Sequence, residues 1–136
     1  MSTPTAAALI GFIAWSLALL VLMEALRTRL VLTGRIAANA FTPDNATLSP
    51  FMQRLARAHA NCLEGLPIFG GLMLAALAMG RAYVTDPLAY VLLGARIVQS
   101  LIHLASTSPA AVTVRFCFFA VQMMIAAWWC LALAMS

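Results

Sequence analysis

Arg57-Ala58-His59-Ala60-Asn61-Cys62-Leu63-Glu64-Gly65-Leu66-Pro67 runs straight into Ile68-Phe69-Gly70-Gly71-Leu72-Met73-Leu74, so charged and amide side chains enter the front of a long apolar run. Arg54, Arg57, Asn61 and Glu64 follow one another at intervals of three, four and three, which places them on one face of a helix. If that helix crosses a membrane, its ionisable residues are expensive to bury and mark a functional site.

The rest of the chain requires a membrane. Of 136 residues, 64% are hydrophobic and 9% charged, with a mean hydropathy of +0.97. A soluble domain carries about 25% charged residues, so this chain has too few to cover a water-facing surface. The net charge is +4, and all eight basic residues are arginines. They border or enter apolar runs instead of forming a water-facing basic stripe, which argues against nucleic-acid binding. Cys62, Cys117 and Cys130 lie within apolar segments without metal-ligand spacing, and read as packing residues with no metal site. The first apolar run has neither a basic start nor a small-residue cleavage site, so it is expected to remain as a helix.

Four spans are predicted, over residues 6–32, 51–80, 87–105 and 110–134, in one domain covering 1–136. The charge-free core Ala6 to Met23 suffices for about 30 Å of hydrocarbon. Glu24 and Arg27 close that span and can pair three residues apart. Residues 33–50 form the one long loop, with Pro43, Asp44, Asn45 and Pro50 as breakers. Pro67 should kink the second span, Asp86-Pro87 should mark a turn, and Trp128 and Trp129 should lie in an interfacial belt. Arg27, Arg29, Arg35, Arg54 and Arg57 flank the long loop, which places it in the cytoplasm and both termini outside.

Arg96, Gln99 and His103 share a face of the third span, and Arg115 opens the fourth. All four spans thus bring polar groups to one layer on the cytoplasmic side. Glu64 is its deepest acid, with Arg96 as the expected partner. Arg54, Arg57, Arg96 and Arg115 outnumber Glu64, and that excess of guanidinium forks suits an anionic ligand.

The stretch from Arg57 to Pro67 resembles the second-helix signature of the membrane-associated proteins in eicosanoid and glutathione metabolism. Span number and the long first loop are similar too. The resemblance implies a four-helix antiparallel subunit in a homotrimer, with glutathione as cosubstrate between subunits near the cytoplasmic face. It assigns Arg57, His59, Asn61 and Glu64 to glutathione, matches Arg96, Gln99 and His103 to the third-helix pattern, and offers Arg35 as a further contact. It departs at His103, where catalytic members carry tyrosine, and before Arg115, which lies about one turn late.

The leading expectation is a glutathione transferase, with possible peroxidase chemistry, acting on a hydrophobic electrophile drawn from the bilayer. Arg115 would activate the thiol. A bacterial inner membrane is the expected location. One alternative is a non-catalytic lipid- or glutathione-binding scaffold on the same fold. The other is a small multidrug transporter using Glu24.

Overall fold

The computed structural model describes residues 3–135, which form α1 (Pro4–Leu32), α2 (Pro50–Ala78), α3 (Ala82–Ala105) and α4 (Pro109–Ala134). All four are long and apolar enough to cross a membrane.

Three of the helices start by the same local chemistry. Thr3-Pro4, Ser49-Pro50 and Ser108-Pro109 each place a hydroxyl at the N-cap and a proline in the first turn. The hydroxyls accept hydrogen bonds from the amides of Ala6, Met52 and Ala111 at 3.1, 3.3 and 3.2 Å. Each cap is worth about 1 kcal/mol, and proline has no N–H to leave unpaired there. The helices therefore begin at their prolines, slightly before the expected starts at 6, 51 and 110. α1 and α2 also end alike. Gly34 (φ 73°) and Gly80 (φ 68°) take the left-handed conformation after the last turn. Arg35 N–H then donates to Leu30 O and Arg81 N–H to Ala76 O, closing both helices with a Schellman motif.

The largest boundary correction concerns α3. It begins at Ala82 instead of 87, and Asp86-Pro87 lies inside it. Asp86 is not a turn residue because its carboxylate has a partner on α1. Asp86 Oδ1 accepts from the Thr5 amide at 3.0 Å and from Thr5 Oγ1 at 2.6 Å. Thr5 and Thr85 hydroxyls are also 2.6 Å apart. This latch ties the start of α1 to the start of α3. The α2 helix continues through Pro67.

α3 packs against each of the other three helices, whereas α1 and α4 are not neighbours among the described residues. The start of α2 meets the end of α3, where Arg54 Nε donates to Leu104 O at 2.7 Å. One apolar cluster joins Phe12, Phe69, Met73, Leu92, Ile125 and Trp129, and a second joins Leu19, Met23, Leu55 and Cys62. Trp129 is fully buried in the first cluster, so only the exposed Trp128 suits an interfacial belt. Leu17, Val21, Ile68, Leu74 and Met124 face outward, as a lipid-solvated exterior requires.

The 33–49 connection is pinned by one residue. Asn45 is fully buried at positive φ (54°). Its Oδ1 accepts from Arg27 Nε and Nη2 at 3.0 and 2.6 Å, while its Nδ2 donates to Met52 O at 2.7 Å. Arg27 also pairs with Glu24 at 3.1 Å, as expected from their spacing. One amide thus holds the end of α1, the loop and the start of α2 together.

Candidate functional site

The centre of the polar layer is Arg96. Its α3 backbone carries it into the middle of the bundle, where the side chain has no solvent exposure. Phe12 from α1, Phe69 from α2 and Phe119 from α4 surround the guanidinium, with ring centroids 5.4, 5.6 and 5.8 Å from its carbon. Every other helix thus supplies one ring. Desolvated cation–π contacts are worth about 2 kcal/mol or more, which offsets part of the cost of burying the charge. Hydrogen bonding does not make up the remainder. Nη1 reaches the Asn61 carbonyl at a long 3.4 Å, and Nε and Nη2 meet no oxygen or nitrogen acceptor, with only the weakly accepting Cys62 sulfur beside the guanidinium. Buried, unmatched N–H donors on a cation are rare enough to call for a physical explanation.

The expected Glu64–Arg96 pair does not form in the subunit. Arg27–Glu24 is the one ion pair among the described residues, and Glu64 is exposed. The reason is steric and electronic. The three rings draw the guanidinium inward, and Gly65 leaves room for it against α2. A β-carbon at Gly65 would lie 2.8 Å from Arg96 Nη2. On the outer side of Gly65 is a cavity of about 360 Å³ lined by Asn61, Glu64, Gly65, Phe69, Phe119 and Met123. Two rings of the arginine cage are therefore also walls of this cavity, with a carboxylate at its edge.

Other expected residues gather around this centre. Gln99 is buried, and its Oε1 accepts from Gln122 Nε2 at 2.8 Å. One turn further along α3, His103 is buried within range of the charges on Arg57 and Arg115. The starts of α2 and α4 and the end of α3 thus form a positive corner. Arg54 joins it, bonded to a carbonyl in the last turn of α3, where a cation also favours the helix dipole.

Two candidates lie elsewhere in the subunit. His59 is two positions from Arg57, on another face of α2, and its charged neighbours are Arg27 and Glu24 at the end of α1. Arg35 lines a separate cavity with Arg29. The Arg57-to-Pro67 stretch thus contributes to two faces, of which one carries the layer.

A model of the MAPEG family matches residues 5–135. This chain belongs to the MAPEG family. Comparison with curated proteins and with solved structures gave no match. As a MAPEG chain with four candidate spans, it is an integral, multi-pass membrane protein.

Within this MAPEG chain, several site residues carried no legible motif. Gln122 is fully buried with Oε1 unpaired, and its only sequence signal was an amide in a span that is charge-free after Arg115. Cys62 packs as expected, yet its thiol lies 3.4 Å from Ser100 Oγ and beside Arg96. Cys117 and Cys130 are exposed on the outer surface. Phe12, Phe69 and Phe119 carry no sequence signal that distinguishes them from the other apolar residues of their spans.

Proposed function

We propose that this protein is a membrane glutathione transferase that joins glutathione to a hydrophobic electrophile, or uses glutathione to reduce one. The observation that carries the reading is Arg96. It is a fully buried cation with unmatched Nε and Nη2 donors, next to a cavity edged by Glu64 and Asn61 in a MAPEG chain. A peptide thiol with two carboxylates and one ammonium has the complementary charges.

In this reading Arg57, the free nitrogens of Arg54, and Arg96 bind the tripeptide carboxylates. Glu64 accepts the ligand's amino group, while Asn61, Gln99 and His103 supply polar contacts. Arg115 stands near the sulfur. A free thiol has a pKa near 8.5, and an adjacent guanidinium favours the thiolate. A two-unit shift, about 2.7 kcal/mol, makes the nucleophilic form dominant at neutral pH. The electrophile enters from the lipid side. The reading includes an antiparallel bundle in a homotrimer, with glutathione between subunits. It also includes a bacterial inner membrane location, a cytoplasmic 33–50 loop and both termini on the far side. His59 and Arg35 join the tripeptide only if a neighbouring subunit brings the ligand to them.

A second reading, a non-catalytic scaffold that binds glutathione or lipid, is favoured by one residue. His103 is buried where the resemblance expects a catalytic tyrosine. The transporter reading loses its support at Glu24, which pairs with Arg27 near the end of α1.

The test is ultraviolet titration of the detergent-purified protein with glutathione at neutral pH. A thiolate absorbance that disappears in Arg115→Ala is expected. Glutathione binding without that absorbance, and without turnover of any electrophile, would favour the scaffold. Full activity in Arg115→Ala would remove Arg115 from the chemistry.

A further inference from the structure

A cavity of about 710 Å³, larger than the one beside Glu64, opens between the last turns of α1, the 33–49 connection and the first turn of α2. Leu26, Leu30, Phe51 and Met52 make much of its wall apolar, and its charged lining residues are Arg29 and Arg35. No acid lines it. Neighbouring cations are already engaged: Arg27 with Glu24 and Asn45, and Arg54 with the Leu104 carbonyl. No such partner is found for the Arg29 and Arg35 guanidinium groups among the described residues, and both residues are exposed. The first turn of α2 also holds no acid, so its positive dipole end, capped by the Ser49 hydroxyl, meets no carboxylate of its own there.

Depth indicates what such a cavity accepts. The charge-free part of α1 ends at Met23, and Arg29 lies six residues beyond it, roughly 9 Å at 1.5 Å per residue. That is the level of lipid headgroups rather than of acyl chains. Two uncompensated cations above an apolar floor fit a phosphate that carries a hydrocarbon chain. A zwitterionic headgroup would bring its own cation against the arginines, whereas an anionic one would not. Basic recesses at this depth are suited to anionic headgroups.

We propose that this cavity is a binding site for an anionic phospholipid, its phosphate held between Arg29 and Arg35 and an acyl chain lying on Leu26, Leu30 and Phe51. The site shares no residue with the cavity beside Glu64 or with the positive corner. Arg35 alone is also drawn on by the glutathione reading, and only through a neighbouring subunit, so the lipid preference is measured with no glutathione present.

The test uses the full chain in nanodiscs of equal phosphatidylglycerol and phosphatidylcholine, released into the gas phase and weighed by native mass spectrometry. The wild type should retain phosphatidylglycerol over phosphatidylcholine by about tenfold. Arg29→Gln/Arg35→Gln should bring that ratio close to one, with the helical circular dichroism signal intact. Arg81→Gln, at the opposite end of the bundle, should keep the preference. A wild-type ratio near one overturns the proposal. So does a preference that survives in the double variant or vanishes in Arg81→Gln. Displacement of the lipid by an equal concentration of inorganic phosphate would also overturn it, because the acyl chain would then contribute nothing.

Discussion

Two of the buried polar regions of the bundle are built on opposite rules. Where α1 and α3 begin, Thr5, Thr85 and Asp86 satisfy one another through short hydrogen bonds. In the layer around Arg96, a charge is buried with two unmatched nitrogens, and Gln122 Oε1 is also without a partner. The first arrangement is complete within one subunit and ties two helices together. The second is incomplete and has a cavity beside it. In this bundle the finished groups tie helices together, and the unfinished ones around Arg96 are where the ligand proposed above would bind.

The severest challenge to that contrast is Arg96→Met. Replacing a buried, unpaired charge with an apolar side chain of similar length is often neutral or stabilising. Thermal stability should hold, while glutathione-dependent turnover should fall by about 100-fold, the usual scale for losing one preorganised donor. If turnover survives and stability collapses, the two regions obey the same rule and the contrast is lost. Asp86→Ala should behave in the opposite way. Its carboxylate accepts two hydrogen bonds at the positive end of α1. Charge-assisted bonds of this kind contribute about 1.5–3 kcal/mol, so unfolding free energy should drop by about 2 kcal/mol with turnover within twofold. A variant that stays stable and loses activity would place the latch in the chemistry.

The smallest effect comes from the loop. The Thr42 hydroxyl at 2.7 Å and the Ala46 amide at 3.1 Å hold the Asp44 carboxyl below the usual carboxylate range. A depressed folded pKa adds order that is fully present above the unfolded value, about 3.9, and is lost as pH falls through the lower folded value. Protection of the Ala46 amide from hydrogen exchange, corrected for intrinsic rates, should therefore persist at pH 5 and fade only below the ordinary carboxylate range. Equal protection in Asp44→Asn at all pH values would show that Asn45 alone orders the loop.

Much of this architecture can be read in the residues themselves. The apolar runs define four spans, breakers such as Pro50 and Pro109 mark helix starts, and Glu24 and Arg27 sit at pairing distance. The three-and-four spacing from Arg54 to Glu64 and from Arg96 to His103 brings most of the layer together. What stayed hidden depends on contacts distant in sequence. Asp86 reads as a turn residue because Thr5, 81 positions away, is what keeps it in a helix. Trp129 reads as interfacial until the apolar cluster that buries it, drawn from all four helices, is known. Glu64 reads as the partner of Arg96 because charge is visible in a sequence and the enclosure of an arginine by three distant phenylalanines is not.

That enclosure has a consequence for how the protein is made. Phe12 and Phe69 precede Arg96 in the chain, but Phe119 follows it. When α3 leaves the ribosome, the third ring has not yet been synthesised. An arginine within an isolated span disfavours insertion, by up to about 2.5–3.5 kcal/mol at the span's centre. Contact with α1 and α2 would offset part of that cost, and the last helix translated closes the ring wall. Order of synthesis thus bears on assembly: a chain truncated before α4 would keep only two of the three rings around its buried charge.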